Sequence, residues 1–235
     1  GTSVSYASLA EALAAAQMGG GTVKLLKSVT ATILMVPAGV TLNLNGYYVT
    51  AGNVLSFGNI IDKNGEEVDG LGGIKITNDR TQAIVQLQQN NEYLPLYDAE
   101  DGCYRFFEYE LINMGVKVVN AENNVLKFGI ALKFNNAAAY ALLADTANSG
   151  VKLGVSLDWT GKPQNKVIEY YFEASLIVEY ADICSNGFVA KKAIVLNVSG
   201  LQELESGTIS ATPFIVSENT GVSSNNNAIE YSIGG

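Results

Sequence analysis

Residues 36–50 read VPAGVTLNLNGYYVT, and their alternation of apolar and polar side chains changes phase at one Asn-Gly pair. Apolar side chains occupy positions 40, 42 and 44 before this pair, and positions 47 and 49 after it. A period of two predicts strands with one buried face. The phase change therefore predicts that the chain turns at Asn45-Gly46.

Two turns fit Asn45-Gly46. Taken alone, Asn-Gly between alternating strands is a strong signal for a β-hairpin. A corner that joins two strands of one coil of a solenoid also changes the phase, and it leaves those two strands unpaired with each other. The segments on either side are needed to choose between the two.

A short helix is predicted ahead of this stretch, over residues 8–17 (SLAEALAAAQ). Ser8 and Glu11 form a capping box at its start, and three glycines at residues 19–21 end it. Its apolar side chains share one face: Leu9, Ala12, Leu13 and Ala16. That face must be buried, most simply on the open end of a sheet.

The order SLAEALAAAQ, GGGTVKLLKSV and VPAGVTLNLNGYYVTAG resembles the opening coils of right-handed parallel β-helix domains of the pectate-lyase-like kind. Such openings recur in secreted bacterial surface proteins. The resemblance covers roughly residues 6–80, and it implies that Asn45-Gly46 is a corner and that the helix caps the solenoid. On outward positions of such coils, Asn43 and Asn45 would stack in amide ladders.

The second part of the chain has a different texture. Polar residues 78–82 (NDRTQ) mark a boundary near residue 80, and strand-like runs then recur every 10–15 residues, as in a β-sandwich. Residues 135–150, rich in alanine, fit a short helix or an extended crossing. The runs GCYRFFEYEL and GVKLGVSLDWTG loosely resemble immunoglobulin-like modules of bacterial surface proteins, although the Cys…Trp…Cys spacing of true immunoglobulin domains is missing.

The expected fold class is therefore all-β. Residues 1–80 are expected to form a short right-handed parallel β-helix with an N-terminal capping helix. Residues 81–235 are expected to form an immunoglobulin-like β-sandwich.

Charge and hydropathy exclude two kinds of partner. The net charge of −9 repels phosphate backbones and anionic lipid surfaces, so we expect no nucleic acid partner. Most of the excess lies in the second part, since residues 1–80 have a net charge of −1 and residues 81–235 of −8. No apolar run approaches the roughly 20 residues of a membrane span, so no membrane insertion is expected.

The composition argues against catalysis. The chain has no histidine, which removes Ser-His-Asp and Cys-His mechanisms and most zinc sites. Glycosidases need two nearby carboxylates, but in the first part only those of residues 62–69 are close in sequence. Cys103 and Cys184 lack C-x-x-C spacing, and both a disulfide and two separate thiols remain open. We expect no enzyme and no cofactor.

The loop DKNGEEVDG, residues 62–70, is the candidate metal site. Its four acidic side chains could offer oxygen ligands to Ca²⁺: Asp62, Glu66, Glu67 and Asp69. The loop departs from the D-x-[DN]-x-[DN]-G pattern at its fifth and sixth positions. A solvated turn that binds no metal is therefore expected.

Trp159, the single tryptophan, is a candidate platform for stacking a sugar. It continues an unbroken alternation of apolar residues at positions 151, 153, 155 and 157, which predicts that it faces the core instead. Tyr170 and Tyr171 are adjacent in a predicted strand, so they must lie on opposite faces and one of them is exposed.

These observations predict a non-catalytic structural or adhesion module of a secreted or cell-surface bacterial protein. Its expected partner is an extracellular glycan or a surface protein. One alternative is a carbohydrate-binding module that uses exposed tyrosine and asparagine side chains, and a weaker one is a fragment of a polysaccharide lyase or glycosidase. The ligand-binding residues are unknown at this stage.

Overall fold

The structure, a computed structural model, describes residues 3–63, 70–88, 92–120, 125–148, 150–159, 166–171, 193–198, 207–217, 223–225 and 229–233. The chain divides into two compact units. The first contains Gly1–Glu108 with Ser217–Val222, and the second contains Tyr109–Val216 with Ser223–Gly235. The division falls at residue 108 and not near residue 80, because residues 93–108 extend a sheet of the first unit.

The described part of the first unit holds one helix and the strands β1 to β8. Their bounds are α1 (Leu9–Gly19), β1 (Gly21–Lys24), β2 (Val29–Val36), β3 (Val40–Asn43), β4 (Tyr48–Ser56), β5 (Asn59–Ile61), β6 (Gly73–Ile76), β7 (Val85–Gln86) and β8 (Tyr93–Asp98). Strand β9 (Cys103–Asn120) begins in this unit and continues into the second.

Helix α1 confirms the predicted capping and packing. The Ser8 hydroxyl accepts a hydrogen bond from the Glu11 backbone N–H at 3.2 Å, which satisfies one of the free donors of the first turn. Leu13 is buried in the core of the unit. The other three residues of the predicted apolar face are half-buried against that core: Leu9, Ala12 and Ala16.

The strands on either side of Asn45-Gly46 lie in different sheets, so the pair forms a corner and not a hairpin. Strands β1, β3 and β5 form one parallel sheet, while β2, β4 and β6 form another, with β7 also paired in parallel with β4. Gly21 lies opposite Val40, and Thr41 lies opposite Asn59. Strand β3 thus lies beside β1, 19 residues earlier, and β5 lies beside β3, 18 residues earlier.

The corner requires left-handed backbone at two successive residues. Asn45 has φ of 52° and Gly46 has φ of 78°. Asparagine and glycine are the residues that adopt this region most readily. The Asn-Gly sequence is therefore explained by the conformation that the corner needs.

The burial pattern of strand β4 changes phase in its middle. Val49 and Ala51 are buried in its first half, whereas Val54 and Ser56 are buried in its second half, so the buried positions change from odd to even. The first half pairs with β6 and the second half with β7. The two halves of this strand thus pair with two different later strands while both contribute to a single core.

Antiparallel pairing begins at the far edge of this sheet. Strand β6 pairs with β9, with Ile74 opposite Tyr104, and β8 pairs with β9 along residues 93–98. Residues 103–107 are all buried, so this part of β9 is covered on both faces.

The described residues of the second unit form two antiparallel sheets. Strand β9 pairs with β10 (Val125–Phe134), which pairs with β13 (Ala193–Val198). The other sheet has the order β12 (Lys166–Tyr171), β11 (Lys152–Trp159) and β14 (Gly207–Val216), and β14 also pairs with β15 (Ser223–Asn225) and β16 (Ile229–Ile233). A helix, α2 (Ala138–Leu143), and a 3₁₀ turn at Thr146–Asn148 lie between β10 and β11.

The described part of the chain is thus mostly β-sheet with two α-helices, which agrees with the expected all-β class. Helix α2 shows that residues 135–150 contain a short helix. Trp159 ends β11 opposite Ile209, and Tyr170 and Tyr171 end β12, but the burial of these side chains lies outside what the structure describes.

Candidate functional site

The corner asparagines tie successive turns of the chain together. The Asn43 side chain donates to the Lys63 carbonyl and accepts from the Lys63 N–H, both at 3.0 Å. Asn45 donates to the Leu25 carbonyl at 3.0 Å. Both side chains are buried, so their expected outward placement is wrong. The hydrogen bonds above run to backbone 20 residues away and not to asparagines of adjacent coils, with which a ladder was expected. Buried amides need such partners.

Asp62 also has an internal role in the first unit. Its Oδ1 accepts the Gly46 N–H at 2.7 Å, and its Oδ2 accepts the Gly72 N–H at 2.6 Å. Burial raises the pKa of Asp62 above its ordinary value, and the two backbone hydrogen bonds only partly offset this. Asp62 therefore belongs to the interior and not to a solvated loop. The other three candidate calcium ligands lie outside the described residues: Glu66, Glu67 and Asp69.

Among the residues that the structure describes, the largest group of interacting charges surrounds Arg105, and we call it the arginine cluster. Its members are Arg105, Asp98, Asp101, Tyr48 and the carbonyl groups of Leu71 and Gly72. Arg105 Nε donates to Asp98 at 2.6 Å, and its second terminal nitrogen donates to Asp101. Its first terminal nitrogen faces the Leu71 carbonyl at 3.0 Å and the Tyr48 hydroxyl at 3.4 Å. The rigid donor fork of arginine suits such a set of acceptors.

The cluster holds its charges firmly. Burial alone would lower the pKa of Arg105, but the hydrogen bonds to Asp98 and Tyr48 raise it above the ordinary value. Burial alone would raise the pKa of Asp98, yet the hydrogen bonds from Arg105 and from the Asp101 N–H bring it below the ordinary value. Both groups stay ionised at neutral pH.

Asp98, Asp101 and Cys103 bring three potential ligand atoms within 4.8 Å of one another, but they do not fit a metal ion. Arg105 already binds both carboxylates. Cys103 is a free and fully buried thiol, and burial raises its pKa to about 11, so the thiolate that metals require is disfavoured. Cys184, the other cysteine of the disulfide that the sequence left open, lies outside the described residues.

The cluster also fits acid–base catalysis poorly. A glycosidase needs one carboxyl group with a raised pKa beside a second carboxylate. Asp98 and Asp101 instead share one cation. Asp62 has the raised pKa, but both of its oxygens already accept backbone hydrogen bonds.

Tyr48 of the cluster and Tyr97, next to Asp98 in sequence, each have a cation over the ring. The Lys75 ammonium lies 4.8 Å from the Tyr48 ring centre, and the Arg80 guanidinium lies 3.7 Å from that of Tyr97. Tyr97 also meets Tyr104 edge to face at 5.1 Å. These distances are typical of cation–π and aromatic pairs, so a sugar could stack on the covered face of either ring only after the cation moved aside.

A small cavity in the first unit offers no alternative site. It measures about 10 Å³ and is lined by Ser56, Ile60, Leu87, Gln88, Tyr93, Pro95 and Phe106. This is room for about one water molecule and not for a sugar ring.

Comparisons with known proteins were made for the whole chain. No protein-family model and no curated protein matches it. Likeness to a known protein therefore assigns no function to the arginine cluster or the corner. Separately, neither helix within the described ranges is long and apolar enough to cross a membrane.

Sequence reasoning missed the arginine cluster. Its signal is one arginine inside the apolar run CYRFF, because a buried arginine needs paired acceptors. Asp98 ends β8, and Asp101 lies in the turn that precedes this run. The predicted boundary near residue 80 had separated all three residues from Tyr48 and from the 71–72 backbone.

Proposed function

We propose that the chain is a non-catalytic structural or adhesion module of a secreted or cell-surface bacterial protein. In this proposal the first unit is a short right-handed parallel β-helix that α1 caps. The second unit is an immunoglobulin-like β-sandwich that acts as a spacer or docking module for an extracellular glycan or a surface protein.

The use of the buried polar groups supports this proposal most strongly. Arg105 directs its donors to carboxylates and carbonyl groups of the same unit. Asp62 and Asn43 likewise bond to backbone about 10 to 20 residues away. These groups hold stacked strands in register, whereas a catalytic site would leave a titratable group directed at a substrate.

An activity assay tests the absence of catalysis. The purified protein is incubated with acidic and neutral polysaccharides, with and without Ca²⁺, and released reducing ends and unsaturated products are measured. We expect the wild type to show no more turnover than Arg105→Lys. This variant keeps the positive charge at residue 105 but loses the forked N–H donors of the guanidinium. Turnover that is lost in Asp98→Asn would contradict the proposal.

Carbohydrate binding is the second candidate, and the two tyrosine–cation pairs favour it. Tyr48 with Lys75 and Tyr97 with Arg80 would offer an acidic sugar both an aromatic ring and a positive charge, once the cations moved aside. A glycan array with the wild type, Tyr97→Ala and a Tyr6→Ala control separates the two functions. Binding that is lost in Tyr97→Ala alone would favour the carbohydrate-binding module.

A further inference from the structure

The Asn45-Gly46 corner has a sequence that is prone to spontaneous deamidation. We propose that the Asp62 carboxylate protects this peptide from spontaneous deamidation. Asn-Gly is the dipeptide most exposed to this reaction, because glycine has no side chain to hinder attack by its backbone nitrogen. The inference concerns a covalent modification and does not depend on the proposed function.

The reaction needs only water. The Gly46 backbone nitrogen attacks Asn45 Cγ and loses its proton, a new N–Cγ bond forms, the Cγ–Nδ2 bond breaks, and ammonia leaves with that proton. Water then opens the resulting five-membered succinimide to aspartate or isoaspartate. Nothing is oxidised or reduced.

Two hydrogen bonds oppose the first step. The Gly46 N–H is held by Asp62 Oδ1 at 2.7 Å, and the Asn45 side chain is held by the Leu25 carbonyl at 3.0 Å. Ring closure requires both to break while the Asp62 carboxylate stays buried. Asn45 is also only 4% exposed, so little water reaches the site. Groups that must first open react at a rate set by that opening.

The second oxygen of Asp62 explains why the carboxylate protects and does not act as a base. Its hydrogen bond to the Gly72 N–H, at 2.6 Å, fixes the carboxylate between two backbone segments. It cannot follow the Gly46 nitrogen as that atom moves toward Asn45. A general base would have to remain in contact with the reacting nitrogen during attack.

Deamidation here would damage the first unit. Isoaspartate adds a methylene group to the backbone at a corner where strand stacking fixes the length of the chain. The new carboxylate would also replace the amide that donates to Leu25 and would place a second negative charge near Asp62.

Peptide mapping by mass spectrometry tests the proposal. The folded wild type, Asp62→Ala and Val54→Ala are incubated at mildly alkaline pH beside a synthetic peptide of residues 40–50, and the deamidated fraction at Asn45 is followed. Val54→Ala is a destabilised control that leaves the corner contacts in place. We expect the reaction to be about a hundredfold slower in the wild type than in the peptide. Most of this protection should be lost in Asp62→Ala and kept in Val54→Ala.

Two outcomes would overturn the proposal. One is a folded Asp62→Ala that deamidates as slowly as the wild type, or more slowly, which would make burial sufficient or make Asp62 a base. If Asp62→Ala fails to fold, hydrogen exchange of the Gly46 amide in the wild type decides. Exchange as fast as in the peptide would show that Asp62 does not hold this N–H.

Discussion

Asn43 and Lys63 lie 20 residues apart in sequence and exchange two hydrogen bonds, each 3.0 Å long. The amide of Asn43 thus pairs with the Lys63 backbone as another peptide group would. It continues the parallel pairing of β3 with β5 by one further step beyond Ile61. One side chain thereby extends a strand at a position where the chain has begun to turn.

Replacing Asn43 should therefore destabilise the first unit. Asn43→Ala leaves the Lys63 N–H and carbonyl without this partner, and we expect a loss of about 1–3 kcal/mol in the free energy of unfolding. Asn59→Ala, an exposed asparagine of the same sheet, should change it by less than about 0.5 kcal/mol. Urea denaturation of both variants measures the difference, and equal values would show that the Asn43 contacts contribute little.

Arg105→Met should be more costly than an ordinary surface change. The arginine side chain is only 10% exposed, and its loss leaves Asp98 largely buried without its cation. We expect Arg105→Met to lower the free energy of unfolding by about 2–4 kcal/mol. This is somewhat below the usual cost of breaking a buried pair, because Asp101 is 45% exposed and solvated. Arg105→Lys should restore less than half of the stability that Arg105→Met loses. Lys24→Ala, at an exposed position, is the control, and thermal and urea unfolding give the comparison.

The half-buried Asp98 and the buried Asp62 should give opposite pH dependences. The pKa of Asp98 is below its ordinary value of 3.8, so its contribution to stability is present above that value and is lost as the pH falls through the folded pKa. The pKa of Asp62 is raised from 3.8 by burial, so its contribution is present at low pH and falls as the pH rises through the folded pKa. Melting temperatures of the wild type, Asp98→Asn and Asp62→Asn across the acid range measure both. A wild-type slope that persists in Asp98→Asn would contradict the first assignment.

Two glycines should respond in opposite directions to alanine. A Cβ on Gly58 would lie 2.2 Å from the Val40 carbonyl oxygen and 2.3 Å from that of Pro37, which backbone cannot accommodate. We expect Gly58→Ala to lower the free energy of unfolding by more than about 3 kcal/mol or to prevent folding. Gly19, the last residue of α1, has open space at its Cβ position, so Gly19→Ala should stabilise by about 0.5–1 kcal/mol. Chemical denaturation tests the pair.

Trp159 remains predicted to face the core of the second unit. Its emission should be blue-shifted and unaffected by added saccharides, and Trp159→Ala should cost about 3–5 kcal/mol, as for other buried aromatic residues. Red-shifted emission that a soluble quencher reaches would place the ring at the surface and strengthen the carbohydrate-binding candidate. Fluorescence and urea titrations provide both readouts.

Much of the first unit could be predicted from its sequence because local signals agree there. The Ser8 cap of the predicted capping box, the apolar helix face and the phase change at Asn45-Gly46 each correspond to an observed feature. The corner could not be told from a hairpin by periodicity alone, since both reverse the buried face. Only the order of elements, and the family resemblance that it suggested, favoured the corner.

The candidate site was far less predictable. Asn43 alternates with apolar residues and so looked exposed, but at a corner the polar side is covered by neighbouring backbone. Asp62 looked like one of four loop acids, and nothing local distinguishes it from Glu66 or Glu67. Its role depends on Gly46 and Gly72, which the fold brings to it from 16 and 10 residues away.

The hydrogen bond between Asp62 and the Gly72 N–H also closes the base of the connection between β5 and β6. Strand β5 ends at Ile61 and β6 starts at Gly73, yet β6 still pairs in register with β4. The two ends of this connection are thus held together at its base, by the hydrogen bond to Asp62 and by the pairing of Gly73 with Tyr48. Each doubling of such a loop costs only about 0.6 kcal/mol in closure entropy. We therefore expect the first unit to accept foreign peptides grafted between Asp62 and Gly72, as a display scaffold does, with the pairing of β4 and β6 kept.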